Sequence, residues 1–269
     1  MSEHLQKFFS FGIQQALYEK DTSQGHLAVY QTSPFGLLLT LNGQALISES
    51  DSFFSYEMMA HPALFTHSKP QQIALLGNHF GILAEVLKHP SVVSVSCILE
   101  NRDIQEAVAT YFSHCLVTQT DSRVTYATEN TLQWLTQREK ESLDVLLMNQ
   151  VVEDITHYVH EAHRILRKNG LLLMSCPFGL METTALNALL QTLKQTAFHD
   201  WQLLNFPQPS CPPGWRTLLM GIKQSNFKRI REKDIFNKTF STRYYNFDTH
   251  KAALALPEFM RMEVSESLF

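Results

Sequence analysis

From Gln72 onward the chain repeats one unit, a short apolar run followed by a stretch with helical spacing. IALLG precedes ILAEVLKH, VVSVSCIL precedes RDIQEAVATYF, and SRVTYAT precedes TLQWLTQR. LDVLLMN then leads to ITHYVHEAHRILRKNG, and LLLMSCP leads to TTALNALLQTLKQTA. Repeated strand–helix units imply a parallel sheet with right-handed crossovers and helices on both faces. Two further runs, WQLLNF and RTLLMGIK, have no helix long enough to separate them and read as a closing hairpin.

Five such units and a terminal hairpin outline an α/β fold with a Rossmann-like, class I methyltransferase-type sheet. Asn169-Gly170 reads as the helix stop before its fifth strand. The region before it is different. HLAVYQT, SPFG, LLLTLNG and QALISES are short β-rich runs broken by turn residues, and Asn42-Gly43 is a hairpin signal. The expected organisation is a small antiparallel N-terminal β domain over 1–55 and the Rossmann-like domain over 56–269, with a buried helix over Phe53–Leu64 leading into the second.

The 269 residues are 44% hydrophobic, enough for a substantial core without a disulfide or structural metal. A net charge of −4 argues against bulk nucleic-acid binding and is compatible with a cationic substrate. Four separated cysteines form no C-x-x-C, and no apolar run reaches membrane-spanning length, so the expected setting is the cytoplasm, without a membrane or nucleic-acid partner. His157, His160 and His163 recur on one helix, but no H-E-x-x-H is present and no metal is expected. KRIREK at 228–233 reads as a surface helix.

Residues 243–259 read RYYNFDTHKAALALPEF, and residues 56–61 read YEMMAH. The first resembles the R-Y-Y-N and H-x-A-A-F-A-L-P tail of polyamine aminopropyltransferases, the spermidine synthase family. The second resembles their Y-H-E-M-M-x-H helix, with Ser55 and Tyr56 standing at the pair that faces the amine. The resemblance implies transfer of the aminopropyl group of decarboxylated S-adenosylmethionine, a co-substrate and no bound cofactor, to putrescine, and it implies a homodimer.

It also distributes roles. The family's G-G-G-D-G turn is GNHFG here, so Gly77 and Asn78 would approach the donor; a plain tight turn explains Gly77 equally well. Glu100, one position after the family's ribose-binding acid, is either a ribose ligand or an exposed loop acid. Glu129 and Asn130 stand where the family contacts the adenine; Glu129 is otherwise a helix N-terminal acid. Asn149 replaces the aspartate that ordinarily helps deprotonate the attacking amine. Asp154 and Glu153 are the nearby carboxylates, with helix capping as their alternative. Glu57 and Tyr56 would handle the amine, and Trp215 would wall its pocket or join the core.

With both family aspartates gone, a catalytically silent relative with a binding or regulatory role is a second expectation. Methyl transfer from S-adenosylmethionine ranks last, because the donor's carboxylate needs a counter-charge and GNHFG has no basic residue.

Overall fold

A computed structural model of the chain describes residues 12–262 apart from 100, 118–120, 151, 153, 177–181, 225 and 228–229. Four antiparallel strands come first: β1 (Gly12–Thr22), β2 (Gly25–Ser33), β3 (Gly36–Leu41) and β4 (Gln44–Ser48), paired in chain order. Asn42 and Gly43 make the β3–β4 turn with φ of 51° and 74°, the left-handed pair that a two-residue hairpin favours. Strand β1 is not announced by the sequence pattern. Its GIQQALYEKDT is mostly exposed and is held by the ladder to β2 instead of by an apolar face.

Helix α1 (Ser52–Thr66) enters the second unit with twelve of its fifteen residues buried. Then follow β5 (Gln72–Gly77), α2 (Ile82–Leu87), β6 (Ser94–Ile98), α3 (Arg102–Tyr111), β7 (Val124–Ala127) and α4 (Thr131–Gln137). Next come β8 (Leu143–Asn149), α5 (Ile155–Ile165), β9 (Leu166–Ser175) and α6 (Thr183–Lys194). Strands β10 (Asp200–Pro207) and β11 (Trp215–Ile222) and helices α7 (Glu232–Phe236) and α8 (Phe247–Leu254) complete the chain.

The large sheet has the order β10-β11-β9-β8-β5-β6-β7. Strands β5 to β9 run parallel, and β10 and β11 form the antiparallel hairpin. This is the expected class I methyltransferase-type sheet with a small N-terminal β unit. One face packs on α1, α2, α7 and α8 through residues such as Met59, Leu75, Leu147 and Ile235. The other packs on α4, α5 and α6 through Leu76, Leu146, Trp134, Val159 and Leu190. A third cluster joins α3 to the N-terminal sheet through Leu27, Leu39, Ile104 and Phe112. Buried Asp144 aligns the strands at their start: one carboxylate oxygen accepts from the Gln71 and Gln72 amides, and the other meets Arg167 at 3.0 Å.

Two local expectations are corrected. Asn169-Gly170 does not end the fifth helix; α5 stops at Ile165 and Leu166 joins β9 at once. Asn169, at φ 64°, and Gly170 instead form a bulge between the pairs Leu143–Leu166 and Val145–Leu171. The basic run is a surface helix only in part: Glu232 and Lys233 are exposed on α7, and Lys228 and Arg229 lie outside the described residues. Arg231 precedes α7, and its guanidinium donates to the carbonyls of Leu64 and His67 at the end of α1.

Under the C-terminal segment lies a histidine–aromatic cluster. His61, His89 and His250 are buried near Phe65, Phe240 and Tyr245, and the Tyr245 hydroxyl meets His250 Nδ1 at 2.8 Å. Burial pushes the His250 pKa down to about 4 and that of His89 to about 2, with His61 lowered by the same cause. Between the solution value near 6.5 and these buried values, the unfolded chain binds protons that the folded chain refuses. Stability therefore falls as pH drops through that window, by up to about 1.4 kcal/mol per pH unit for each such histidine. Thermal melts should show a midpoint declining steadily from pH 7 to pH 5, with a shallower decline for His250→Gln. A flat profile would contradict the burial of neutral imidazoles.

Candidate active site

The strand order reverses between β5 and β8, where sheets of this type open a ligand crevice beyond their carboxyl ends. The last residue of β5, Gly77, pairs with the last residue of β8, Asn149. Gly77 has φ 81°, and a Cβ there would stand 2.7 Å from Gln150 Cβ and 2.8 Å from the Asn149 carbonyl oxygen. Contact between two backbones demands this glycine. The Asn78 amide donates to the Asn149 carbonyl (3.2 Å), and Asn149 Nδ2 donates to the Asn78 carbonyl (2.8 Å). Gly77, Asn78 and Asn149 thus form one rigid floor.

Beside it the turn closes at Gly81, φ 73°, whose Cα carries the ring of Tyr56; a Cβ would fall 2.2 Å from that ring. The Tyr56 hydroxyl lies 3.5 Å from Cys115 Sγ, and burial holds its pKa well above 10. Tyr56, expected at the amine, therefore supports the turn from beneath.

One strand further along the edge is a cavity of about 460 Å³ lined by His79, Phe80, Cys97, Leu99, Glu106 and Tyr126, among others. Its rim includes Leu99 and Thr128, the neighbours of Glu100 and Glu129. Glu100 lies outside the described residues. Glu129 is half-buried beside Asn130, whose Oδ1 caps α4 by accepting from the Leu132 and Gln133 amides. His79 Nδ1 donates to the Gly77 carbonyl (3.2 Å), and burial lowers its pKa to about 4. The ring is neutral near pH 7 and leaves Nε2 as an acceptor.

On the other side of the floor, Asn149 Oδ1 accepts from Ser175 Oγ (2.8 Å) at the end of β9. Arg216, on β11, reaches the same hydroxyl with Nη2 (3.4 Å) and Ser55 Oγ with Nη1 (3.0 Å), and Ser55 donates to Gln208 Oε1. Sequence reasoning missed Ser175 and Arg216; Gln208 lies in the loop PQPSCPPGW, residues 207–215, which the resemblance places along the amine pocket. An arginine heading the apolar run TLLMGI was the available signal. Trp215, the first residue of β11, has 41% of its surface exposed, so it is no core residue; Trp134 and Trp201 fill that role.

The remaining acids sit elsewhere. Glu57 is 2% exposed, and its two oxygens accept from the backbone amides of Arg243 (2.7 Å), Tyr244 (2.9 Å) and Tyr245 (2.7 Å). A carboxylate so occupied anchors the RYY segment and is not presented to an amine. Asp154 is the N-cap of α5, accepting from the His157 amide (3.1 Å), with two-thirds of its side chain exposed. Glu153 lies outside the described residues. All four cysteines are free thiols, Cys97 and Cys115 buried and Cys176 and Cys211 half-buried. Among the described residues no three His, Cys, Asp or Glu side chains group to hold a metal ion, and no helix is long and apolar enough to cross a membrane.

Comparison with known proteins adds to this geometry. Residues 52–232 match the family described as Spermine/spermidine synthase domain. The chain belongs to that family. It is 32% identical to the polyamine aminopropyltransferase of Alkalilimnicola ehrlichii, over 94% of this chain and 92% of that one. It is 31% identical to the polyamine aminopropyltransferase of Halorhodospira halophila, over 94% of both. The fold is similar to a spermidine synthase solved with the transition-state analogue AdoDATO, at TM-score 0.85 and 18% identity over 95% of this chain and 90% of that one. The spermidine synthase of Thermotoga maritima gives TM-score 0.84 at 19% identity, over 94% and 89%. As a spermine/spermidine synthase family member the chain is an enzyme of the aminopropyltransferase class, and nothing supports the silent-relative reading.

Glu57→Gln tests the anchor. It replaces one acceptor oxygen by an amide that faces backbone N–H groups, so about 3 kcal/mol of stability and roughly 6–12 °C of melting temperature should be lost. A fall in kcat with an unchanged melting temperature would return Glu57 to the amine.

Proposed function

We propose that the enzyme transfers the aminopropyl group of decarboxylated S-adenosylmethionine to putrescine, giving spermidine and methylthioadenosine, and that it acts as a homodimer in the cytoplasm. One observation carries the reading. The floor of Gly77, Asn78 and Asn149 stands at the sheet's switch point, in a chain about one-third identical to named polyamine aminopropyltransferases over nearly its whole length.

The amine lone pair attacks the methylene beside the sulfonium. An N–C bond forms, the C–S bond breaks, and its electron pair neutralises the sulfur as a thioether. The amine has a pKa of about 10, so one proton must leave before or during attack. The Asn149 amide is no base. Its role is to orient: with both ends of its side chain hydrogen-bonded, it fixes the floor against which the reacting nitrogen lies. The proton passes to water or to Glu153. Glu100 and Glu129 hold the ribose and adenine, Gly77 and Asn78 bring backbone groups to the donor, Asn130 fixes the helix beside it, and the exposed Trp215 ring walls the amine end.

Methylthioadenosine release from decarboxylated S-adenosylmethionine, with putrescine, cadaverine or spermidine as separate acceptors, tests the reading. Product with putrescine is expected. Folded protein that binds methylthioadenosine yet makes none with any acceptor would contradict it. Asp154→Asn keeps the cap, since Asn and Asp serve equally there, and should change kcat by less than about threefold. A hundredfold loss would make Asp154 the base.

A further inference from the structure

The hydrogen-bonded chain that leaves Asn149 ends on a cation. Asn149, Ser175, Arg216, Ser55 and Gln208 are linked in sequence, and Arg216 is the one charged member. Its guanidinium is half-buried, and the two hydroxyls it touches belong to buried residues. Among the described residues no carboxylate lies within ion-pairing distance of it. The acids on α1 and its cap are otherwise engaged: Asp51 accepts from the Ser210 amide and hydroxyl, and Glu57 from the tail.

A half-buried guanidinium without a counter-ion is unfavourable, and its planar fork of donors matches a carboxylate. The sign is also wrong for holding the free ammonium of a plain diamine. Ser55 stands at the position that the resemblance assigns to the amine pocket, and Arg216 lies against it.

We propose that Arg216, held in place by the Ser55 and Ser175 hydroxyls that accept from it, forms a carboxylate-binding subsite on the acceptor side of the crevice, so that one of the two preferred substrates keeps a carboxylate. This rests on the transfer chemistry proposed above and revises one of its two substrates: putrescine with decarboxylated S-adenosylmethionine remains a slower pair. The carboxylate belongs either to the acceptor, a diamino acid in place of a diamine, or to the donor, intact S-adenosylmethionine in place of its decarboxylated form. The bonds are the same in both cases. The amine nitrogen bonds to the γ-carbon, the C–S bond breaks with its electron pair going to sulfur, methylthioadenosine leaves, and the amine proton goes to water. The carboxylate is a spectator retained in the product.

The test is a panel of four substrate pairs with the wild-type enzyme: intact or decarboxylated S-adenosylmethionine, each with putrescine or with ornithine, which is putrescine bearing a carboxylate. Methylthioadenosine and the mass of the transfer product are measured. A carboxylated pair should exceed the fully decarboxylated pair in kcat/KM by about tenfold, and which pair does so identifies the source. Arg216→Gln should lower that ratio by about tenfold, and Arg216→Lys, which keeps the charge without the fork, by less. If no carboxylated pair exceeds the decarboxylated one, or if the ratio ignores Arg216→Gln, the subsite is overturned while the transfer reaction stands. No methylthioadenosine from any pair overturns both. The wild-type panel decides without depending on a variant's folding.

Discussion

Three backbone amides, those of Arg243, Tyr244 and Tyr245, converge on the Glu57 carboxylate, and much of the crevice is built on that contact. It ties the C-terminal segment to the middle of the buried helix α1. Tyr245 then reaches His250 on α8 and stacks with Phe65 at 5.8 Å, so the tail covers one side of α1 while the sheet covers another. A buried carboxylate is tolerable only when its acceptor sites are filled. Here the chain fills them with its own backbone. With α1 fixed, Ser55 is held at the rim and Tyr56 under the Gly81 turn.

The second constraint is the approach of β5 to β8. Gly77 meets the Asn149 carbonyl without a side chain between them, and the two asparagines bond across the gap. A carboxylate at position 149 would lose the donor that now reaches the Asn78 carbonyl. The asparagine, the Ser175 hydroxyl and Arg216 form a matched polar series whose charge is opposite to that of an aspartate site. Asn149 and Arg216 therefore belong to one hydrogen-bonded series whose only charge is positive.

The parallel sheet was legible because strands buried on both faces leave continuous apolar runs, as in IALLG and LDVLLMN. The Asn42-Gly43 hairpin was legible because its backbone needs positive φ at both positions. Strand β1 was not, since it offers no buried alternating face. Site residues divided in the same way. Gly77, Asn78 and Asn149 lie at strand ends, where position along the chain fixes position in the crevice. Glu57 was misassigned because its partners are backbone amides 186–188 positions away, which no local pattern reports. Arg216 was missed because a strand of apolar residues hides one polar side chain at its start, and only the fold brings it to Ser55 and Ser175.

We place the chemistry on the Gly77–Asn149 floor, with the nucleoside toward β6 and β7 and Arg216 on the acceptor side. The most direct measurement is a crystal structure with methylthioadenosine bound. The thioether sulfur should lie beside Gly77 and Asn149 and the ribose at the acid that follows Leu99, with Arg216 facing the open remainder of the crevice. A nucleoside bound away from the switch point, or one that occupies the space before Arg216, would contradict this placement.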